Sequence, residues 1–362
     1  MSPERPDLSH RAPEWISAET SPFGVRVLDV RPVTLGTLSM SRDPRMASNA
    51  LSYNGEDGSS FADEAPVVAR RVDATLRFIA PERLVDGALF IPREMEDKWA
   101  LFVARGELVF VRGWQRRVFL RAAMRVEGGE LVIGPFDGAL SDAGEDPAFT
   151  VRAADFLLRA LALGLPWPAP VPGESAPHSM AVFCMSQFGR SAHYAAVEAL
   201  PRDVPTKPLR VMSRLHRAVL RDDVEGARAA LDAGVPVDLE DKLGASAMQY
   251  VRTVGPMLAL LAERGADLDA ASDDGVRPLM MAAQARSLPL VRWLLERGVV
   301  ADAADARGFT ALHRAAEMGE AEMVDALLAR GADPKRESVS GVTPLELATQ
   351  RGHEAIVRAL SR

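Results

Sequence analysis

Cysteine occurs once in the 362 residues, at Cys184. No intramolecular disulfide framework can therefore brace the chain, and a reducing compartment is its natural setting. Lysine is nearly as scarce, with Lys98, Lys207, Lys242 and Lys335 standing against 39 arginines. With abundant Ala, Gly and Pro, that skew points to a GC-rich, bacterial gene. Positive charge is not in excess, the formal net charge being -7. That removes the usual basis for holding a phosphate backbone or an anionic lipid surface. No uninterrupted apolar run approaches the roughly 18 residues of a membrane span. The N-terminal MSPERPDLSHRAPEW lacks the apolar stretch that would follow the charges of a secretory signal. The expectation is a soluble, cytoplasmic protein with neither nucleic acid nor membrane as partner.

What the chain does have is length, 48% hydrophobic residues and a repeat. A single core stops growing before this size, so two domains are expected. Glycines at 234, 265, 298 and 331 each follow a run such as LLAERGAD or ALLARGAD, with spacings of 31, 33 and 33. A second series, Gly244, Gly275, Gly308 and Gly341, keeps the same spacings and precedes SAMQ, RPLM, TALH and TPLE. Two glycine registers at one period mark a repeated supersecondary unit. Between them lie paired apolar-periodic segments, for example Ala311 to Met318 and Ala321 to Arg330, which read as helix, tight turn, helix. Each unit is too small to bury its own apolar face, and stacking supplies the core.

In period, TPLHxA-like signature and LLxxGAD-like ending, residues 209 to 362 resemble the ankyrin repeat family. The resemblance implies five units, 209–240, 241–274, 275–307, 308–340 and a short 341–362, the first and last imperfect as terminal caps are. The family's histidine slot holds His216, Gln249, Met280, His313 and Glu346. A side chain that varies this freely is no indispensable catalytic group, and the resemblance makes His313 a scaffold residue bonding around its turn, with Ser213 and Thr310 as helix N-caps. His353 stands where the family opens a second helix. The second unit is two residues short, with Gly255-Pro256 between its helices, so a tighter helix-helix turn and a bend are expected there.

The N-terminal part carries different signals. Residues 1–22 read as a mobile tail, 41–65 as a long exposed loop and 201–208 as a linker. GVRVLDVRPVTLG suggests a strand. In 97–136, runs rich in Val, Leu and Phe at 99–104, 107–112, 116–126 and 130–133 are divided by Arg105-Gly106, Arg112-Gly113 and Gly128-Gly129. That is the pattern of an antiparallel meander with one buried face. DFLLRALALG at 155–164 reads as a covering helix, and 178–200 is ambiguous between strand and helix. The fold expected is thus multidomain: an α+β domain over 23–200 and an all-α ankyrin-repeat solenoid over 209–362. EMEDKW at 94–99 with Arg112 and Trp114 resembles small bacterial domains without an assigned activity, over some 40 residues, and transfers none.

Candidate chemistry is thin. Glu94, Glu96, Asp97 and Lys98 fall in one run, more in keeping with a solvated turn than with two carboxylates held across a bond. Trp99 and Trp114 suit sheet packing. Cys184 near His178 or His193 matches no nucleophile motif and reads as buried. Ligand spacing for a metal is absent, and no cofactor or catalytic residue is expected. The function expected is therefore non-enzymatic protein-protein interaction, of an adapter or toxin-neutralising kind. By the resemblance, Arg217, Tyr250, Met281 and Arg314, each one past the histidine slot, face the concave surface. Beside them Asp241, Asp273, Asp274 and Asp305, with Arg307, line the hairpin tips as an acidic edge suited to a basic partner. Glu94, Glu96, Lys98, Arg112 and Trp114 are the surface candidates of the N-terminal domain. The alternatives are an enzyme whose repeats select its substrate or regulator, and a purely structural subunit. Enzyme and binder differ in whether the 94–98 charges and Arg112 converge on a pocket or line a flat sheet.

Overall fold

The structure, a computed structural model, describes residues 12–37, 48–49, 52–53, 55–197 and 207–361. The chain divides into two compact units, Met1–Val211 and Met212–Arg362. Residues 1–11 of the expected tail, 38–47 and 201–206 of the expected linker lie outside the described residues.

In the N-terminal unit, β5 (Gly87–Phe90), β6 (Trp99–Ala104), β7 (Glu107–Arg112), β8 (Arg117–Glu127) and β9 (Glu130–Gly138) pair antiparallel in sequence order. β3 (Arg71–Val72) and β4 (Leu76–Ile79) both add to β9, also antiparallel. The expected strand bounds in this region hold to within a few residues, because tight turns separate Val- and Phe-rich runs that fit a pleated surface. The expectation of one buried face does not hold. Trp99, Leu101 and Val103 enter a core with α2 (Pro147–Leu157) and α3 (Pro177–Phe188), while Ala100, Phe102 and Ala104 enter a second core with Tyr53 and Phe61. The stretch expected to be an exposed loop therefore covers the back of the sheet, its aromatic rings stacked on Phe102. Arg121 fastens that cover by donating to the carbonyls of Phe61, Ala62 and Glu64 at 2.9–3.1 Å.

A smaller sheet runs β1 (Glu14–Ile16), β2 (Val27–Asp29), β11 (Tyr194–Ala196) and β10 (Ala169–Pro170). Glu14–Ile16 is thus a paired strand where a mobile tail was expected. α1 (Arg31–Thr34) follows β2 at once, so the strand expected in GVRVLDVRPVTLG is shorter than its apolar run. α2 starts at an Asp146 cap with Pro147 at the first helical position, eight residues before the expected covering helix, and continues as a π turn through Ala162. The ambiguous 178–200 region resolves into α3 and β11.

The C-terminal unit contains, among the described residues, five helix pairs: Arg214–Leu220 with Val224–Asp232, Ala247–Tyr250 with Pro256–Glu263, Pro278–Gln284 with Leu288–Glu296, Ala311–Met318 with Ala321–Leu328, and Pro344–Arg351 with Glu354–Leu360. Small and branched apolar residues such as Ala282, Leu294, Ala315 and Leu327 form one contiguous core through the pairs. The second pair corrects the expectation of a tightened turn. The two missing residues come out of its first helix, which shrinks to a 3-10 turn at Ala247–Tyr250, and Val251 leaves it in extended conformation ahead of Pro256.

Candidate functional site

Each helix pair after the first is preceded by a four-residue tip ending in a glycine of the second series: Asp241–Gly244, Ser272–Gly275, Asp305–Gly308 and Ser338–Gly341. The glycine N–H closes each turn on the carbonyl of the first tip residue, at 2.8–2.9 Å. The tips are also bonded to one another. The N–H of Asp273 donates to Leu243, that of Ala306 to Asp274 and that of Val339 to Arg307, at 3.0, 2.7 and 2.8 Å. Gly308 shows why the register is glycine: its φ is +80°, and a Cβ there would stand 2.8 Å from the incoming Val339 nitrogen.

The first tip residue is an anchor, and this corrects two of the expected surface acids. Asp241 is 0% exposed and Asp305 7% exposed. The Asp241 carboxylate accepts from the N–H groups of Leu243 and Ala245, and that of Asp305 from Arg307 and Phe309. Short acidic side chains that bond their own backbone two residues on stabilise such turns, so these aspartates belong to the tip's interior. Ser272 and Ser338 do the same work with one oxygen, accepting from Val276 and Val342. These serines were not singled out by sequence, although a signal existed: Asp or Ser stands three residues before every glycine of that series.

The second carboxylate oxygen explains the residues nine positions on. Tyr250 donates its hydroxyl to Asp241, and Arg314 reaches Asp305 at 3.4 Å and Glu317 at 3.8 Å. Burial, followed by this donation to Asp241, raises the Tyr250 phenol above its ordinary value. Where the tip begins with Ser, no second oxygen needs a donor, and the corresponding residues are Met281 and Leu347. Thus Tyr250 and Arg314, expected as free concave anchors, are tied to their own tips. Arg217, Met281 and Leu347 are half-buried on the same helix register. The exposed tip residues are Leu243, Asp273, Asp274, Ala306, Arg307, Val339, Ser340 and Gly341. Asp273, Asp274 and Arg307 were expected there. Leu243 and Val339, 54% and 80% exposed, were not among the expected contacts, because single apolar residues between turn formers carry no period.

The histidine slot stitches neighbouring units. His313 Nδ1 accepts from the Thr310 N–H at 3.1 Å, and Nε2 donates to the Val342 carbonyl at 3.1 Å. Gln249 repeats the pattern, accepting from the Ser246 N–H and donating to the Val276 carbonyl. His216 joins the Ser213 hydroxyl, at 2.9 Å, to the Ala245 carbonyl, at 3.1 Å.

A family model described as Ankyrin repeats (3 copies) matches residues 215–305 and 298–362. Residues 215–362 are ankyrin repeats. Such repeats indicate protein-protein interaction, and the slot histidines are their scaffold. No curated protein matched the chain.

Outside the ankyrin repeats, the N-terminal candidates do come together, at the C-terminal end of α3. Arg112 donates to the carbonyls of Ser186 and Gln187, at 2.8 and 2.9 Å, and the Trp99 indole also donates to Gln187. These carbonyls have no partner within the helix, so Arg112 caps it. Burial lowers that guanidinium to about 10, still charged at neutral pH. Gly189, at φ +71°, lets the 94–98 loop pass: a Cβ there would overlap the Glu96 carbonyl oxygen at 1.7 Å. Glu94 pairs with Arg190 at 3.2 Å. Trp114 donates to the Met95 carbonyl, and Lys98 sits 4.2 Å above the Trp114 ring. Glu96 and Lys98 are 7% and 8% exposed, where a solvated turn was expected. Cys184 is buried, which pushes its thiol up to about 12 and keeps it from acting as a nucleophile. Among the described residues no three His, Cys, Asp or Glu side chains gather as metal ligands would, and no helix is long and apolar enough to cross a membrane.

Proposed function

We propose that the chain is a non-enzymatic adapter, or a toxin-neutralising binder, of the bacterial cytoplasm, which grips a protein partner along its hairpin tips and the first-helix face of the middle repeats. One observation carries the reading: the tips are bonded to one another into a continuous edge, while Leu243, Asp273, Asp274, Arg307 and Val339 project from it exposed. A rigid edge with interchangeable side chains loses little entropy on docking. Apolar Leu243 and Val339 would supply buried contact, with Met281 adapting to an irregular surface. The adjacent Asp273 and Asp274 would steer a basic patch of the partner, which makes nucleic acid and anionic membrane poor rivals at this edge. Of the N-terminal candidates, Arg112 has a structural task in capping α3, shared with Trp99, which supports the non-enzymatic reading for that residue.

The test uses a partner isolated by pull-down and then purified. Exchanging Asp273 and Asp274 together for Asn should slow association several-fold at low salt and flatten its salt dependence. Leu243→Glu with Val339→Glu should speed dissociation by about tenfold. Biosensor rates equal to wild type in both variants would move the partner off this edge.

A further inference from the structure

Along the four tips, from Asp241–Gly244 to Ser338–Gly341, the exposed side chains run in an order that is its own complement when reversed. Leu243 stands on the first tip, Asp274 on the second, Arg307 on the third and Val339 on the fourth: apolar, acid, base, apolar. Asp274 and Arg307 both take the third place in their tips. Their tips are joined directly, the Ala306 N–H donating to the Asp274 carbonyl at 2.7 Å. Neighbouring tips stand about one helix layer apart, roughly 10 Å, so the four span roughly 30 Å.

Both central charges are open to a partner. Asp274 is exposed, and its carboxylate makes no hydrogen bond or ion pair among the described residues. The Arg307 side chain is 71% exposed. Its ion-pair partner Asp305, at 3.8 Å, already accepts two backbone N–H groups and pairs with Arg314. Asp273 leans over Gly244 and, like Lys242, is engaged within its own chain, so the pairing described next draws on neither.

We propose that this edge pairs with a second copy of the chain about a two-fold axis between the second and third tips, Asp274 of each copy meeting Arg307 of the other. A two-fold axis set across the edge reverses the order of the tips and keeps each place within a tip, so third place faces third place. Asp274 then faces Arg307 of the second copy on one side of the axis, and the same contact recurs on the other side. Leu243 comes to lie against the fourth tip, which carries Val339. The four central charges alternate in sign around the axis. Running the two edges in the same direction would set Asp274 on Asp274 and Arg307 on Arg307, and such like-charge contacts select against that register. A row of tips this narrow buries less than the roughly 1,200 Å² of a stable complex, so the pair is weak and salt-sensitive. The inference rests on the edge of the proposed function and names a second copy as a partner that the edge accepts. Self-pairing covers Leu243 and Val339, so it competes with capture of another protein there.

Sedimentation velocity of the full chain, from about 10 to about 500 μM, provides the test. Wild type should move toward a dimer as concentration rises, and about 0.5 M salt should weaken the pairing several-fold. Asp274→Arg and Arg307→Asp should each stay monomeric at an unchanged melting temperature, since each sets like charges together on both sides of the axis. Mixed in equal amounts, these two variants should pair with one another, because every central contact then joins opposite signs. The double variant Asp274→Arg with Arg307→Asp should self-pair as wild type does. A wild type that stays monomeric throughout, single variants that dimerise like wild type, or a mixture that remains monomeric would each overturn the proposal. No other protein enters the measurement, so its failure leaves the partner of the preceding subsection to its own kinetic test.

Discussion

His313 can serve its turn in one protonation state only. Its Nδ1 must accept from the Thr310 N–H while Nε2 donates to Val342, so a second proton would set two donors against each other. Burial is the main cause that lowers His313, and likewise His216, below the ordinary histidine value. The unfolded chain takes up these protons near pH 6.5 and the native slots resist. The stability they contribute is therefore full above that pH and lost as pH falls through it toward the lowered native values. Thermal unfolding followed by circular dichroism should show the repeats melting at lower temperature at pH 5.5 than at pH 7.5. His313→Gln, which copies the Gln249 bridge without a titratable group, should keep the melting temperature at pH 7.5 and shrink the acid loss. His313→Ala should cost about 1 kcal/mol at pH 7.5 and less at pH 5.5, where the slot's contribution is already partly lost. An unchanged pH slope in His313→Gln would show that the slot does not sense protons.

At the scale of the tip and its helix, residues 305 and 314 behave as a pair. Asp305→Ser alone leaves Arg314 without its tip partner, and Arg314→Met alone leaves a buried carboxylate oxygen with only the exposed Arg307, 3.8 Å away. The double change reproduces the Ser272 and Met281 pairing of the preceding unit. Each single change should destabilise by roughly 1–2 kcal/mol, and the double by less than their sum, with a coupling of about 1 kcal/mol. Urea unfolding of the four proteins measures it, and strict additivity would mean the register rests on something other than this bond. The same pair shows how far sequence alone reaches. The repeat period was legible, because glycine at a left-handed turn has no cheap substitute and recurs at fixed spacing. The strands of 99–138 were legible, because turns break their apolar runs. Asp305 was not, since a turn-forming aspartate has the same composition as a surface charge and only the folded tip shows its oxygens bonded inward. Tyr53 and Phe61 were missed for a related reason: they reach the sheet from a stretch with no period. The meeting of Lys98, Arg112 and Trp114 at the end of α3 depends on a helix that the ambiguous 178–200 pattern did not fix.

For the whole molecule, the boundary between the units follows from which core each residue joins. The N-terminal unit holds two clusters on the faces of its sheet, and the repeats hold a third with no shared member. Repeats were expected to begin at residue 209, after a linker. Yet Leu209 and Val211, 3% and 6% exposed, pack in the N-terminal core, while Ser213 stands at the N-cap of the first repeat helix. A fragment ending at 206 loses both apolar side chains and leaves their sites open, whereas one ending at 211 retains them. Deleting a buried aliphatic side chain typically costs about 2–5 kcal/mol, a large share of a domain's stability. Fragment 1–211 should therefore melt cooperatively, and 1–206 should melt well below it or bind a hydrophobic dye in the cold. Fragment 212–362 should keep a helical spectrum and a cooperative transition, because its contacts run between adjacent repeats. Equal melting of 1–206 and 1–211 would return the boundary to the linker. A coil spectrum for 212–362 would show instead that the repeats need the N-terminal unit in order to fold.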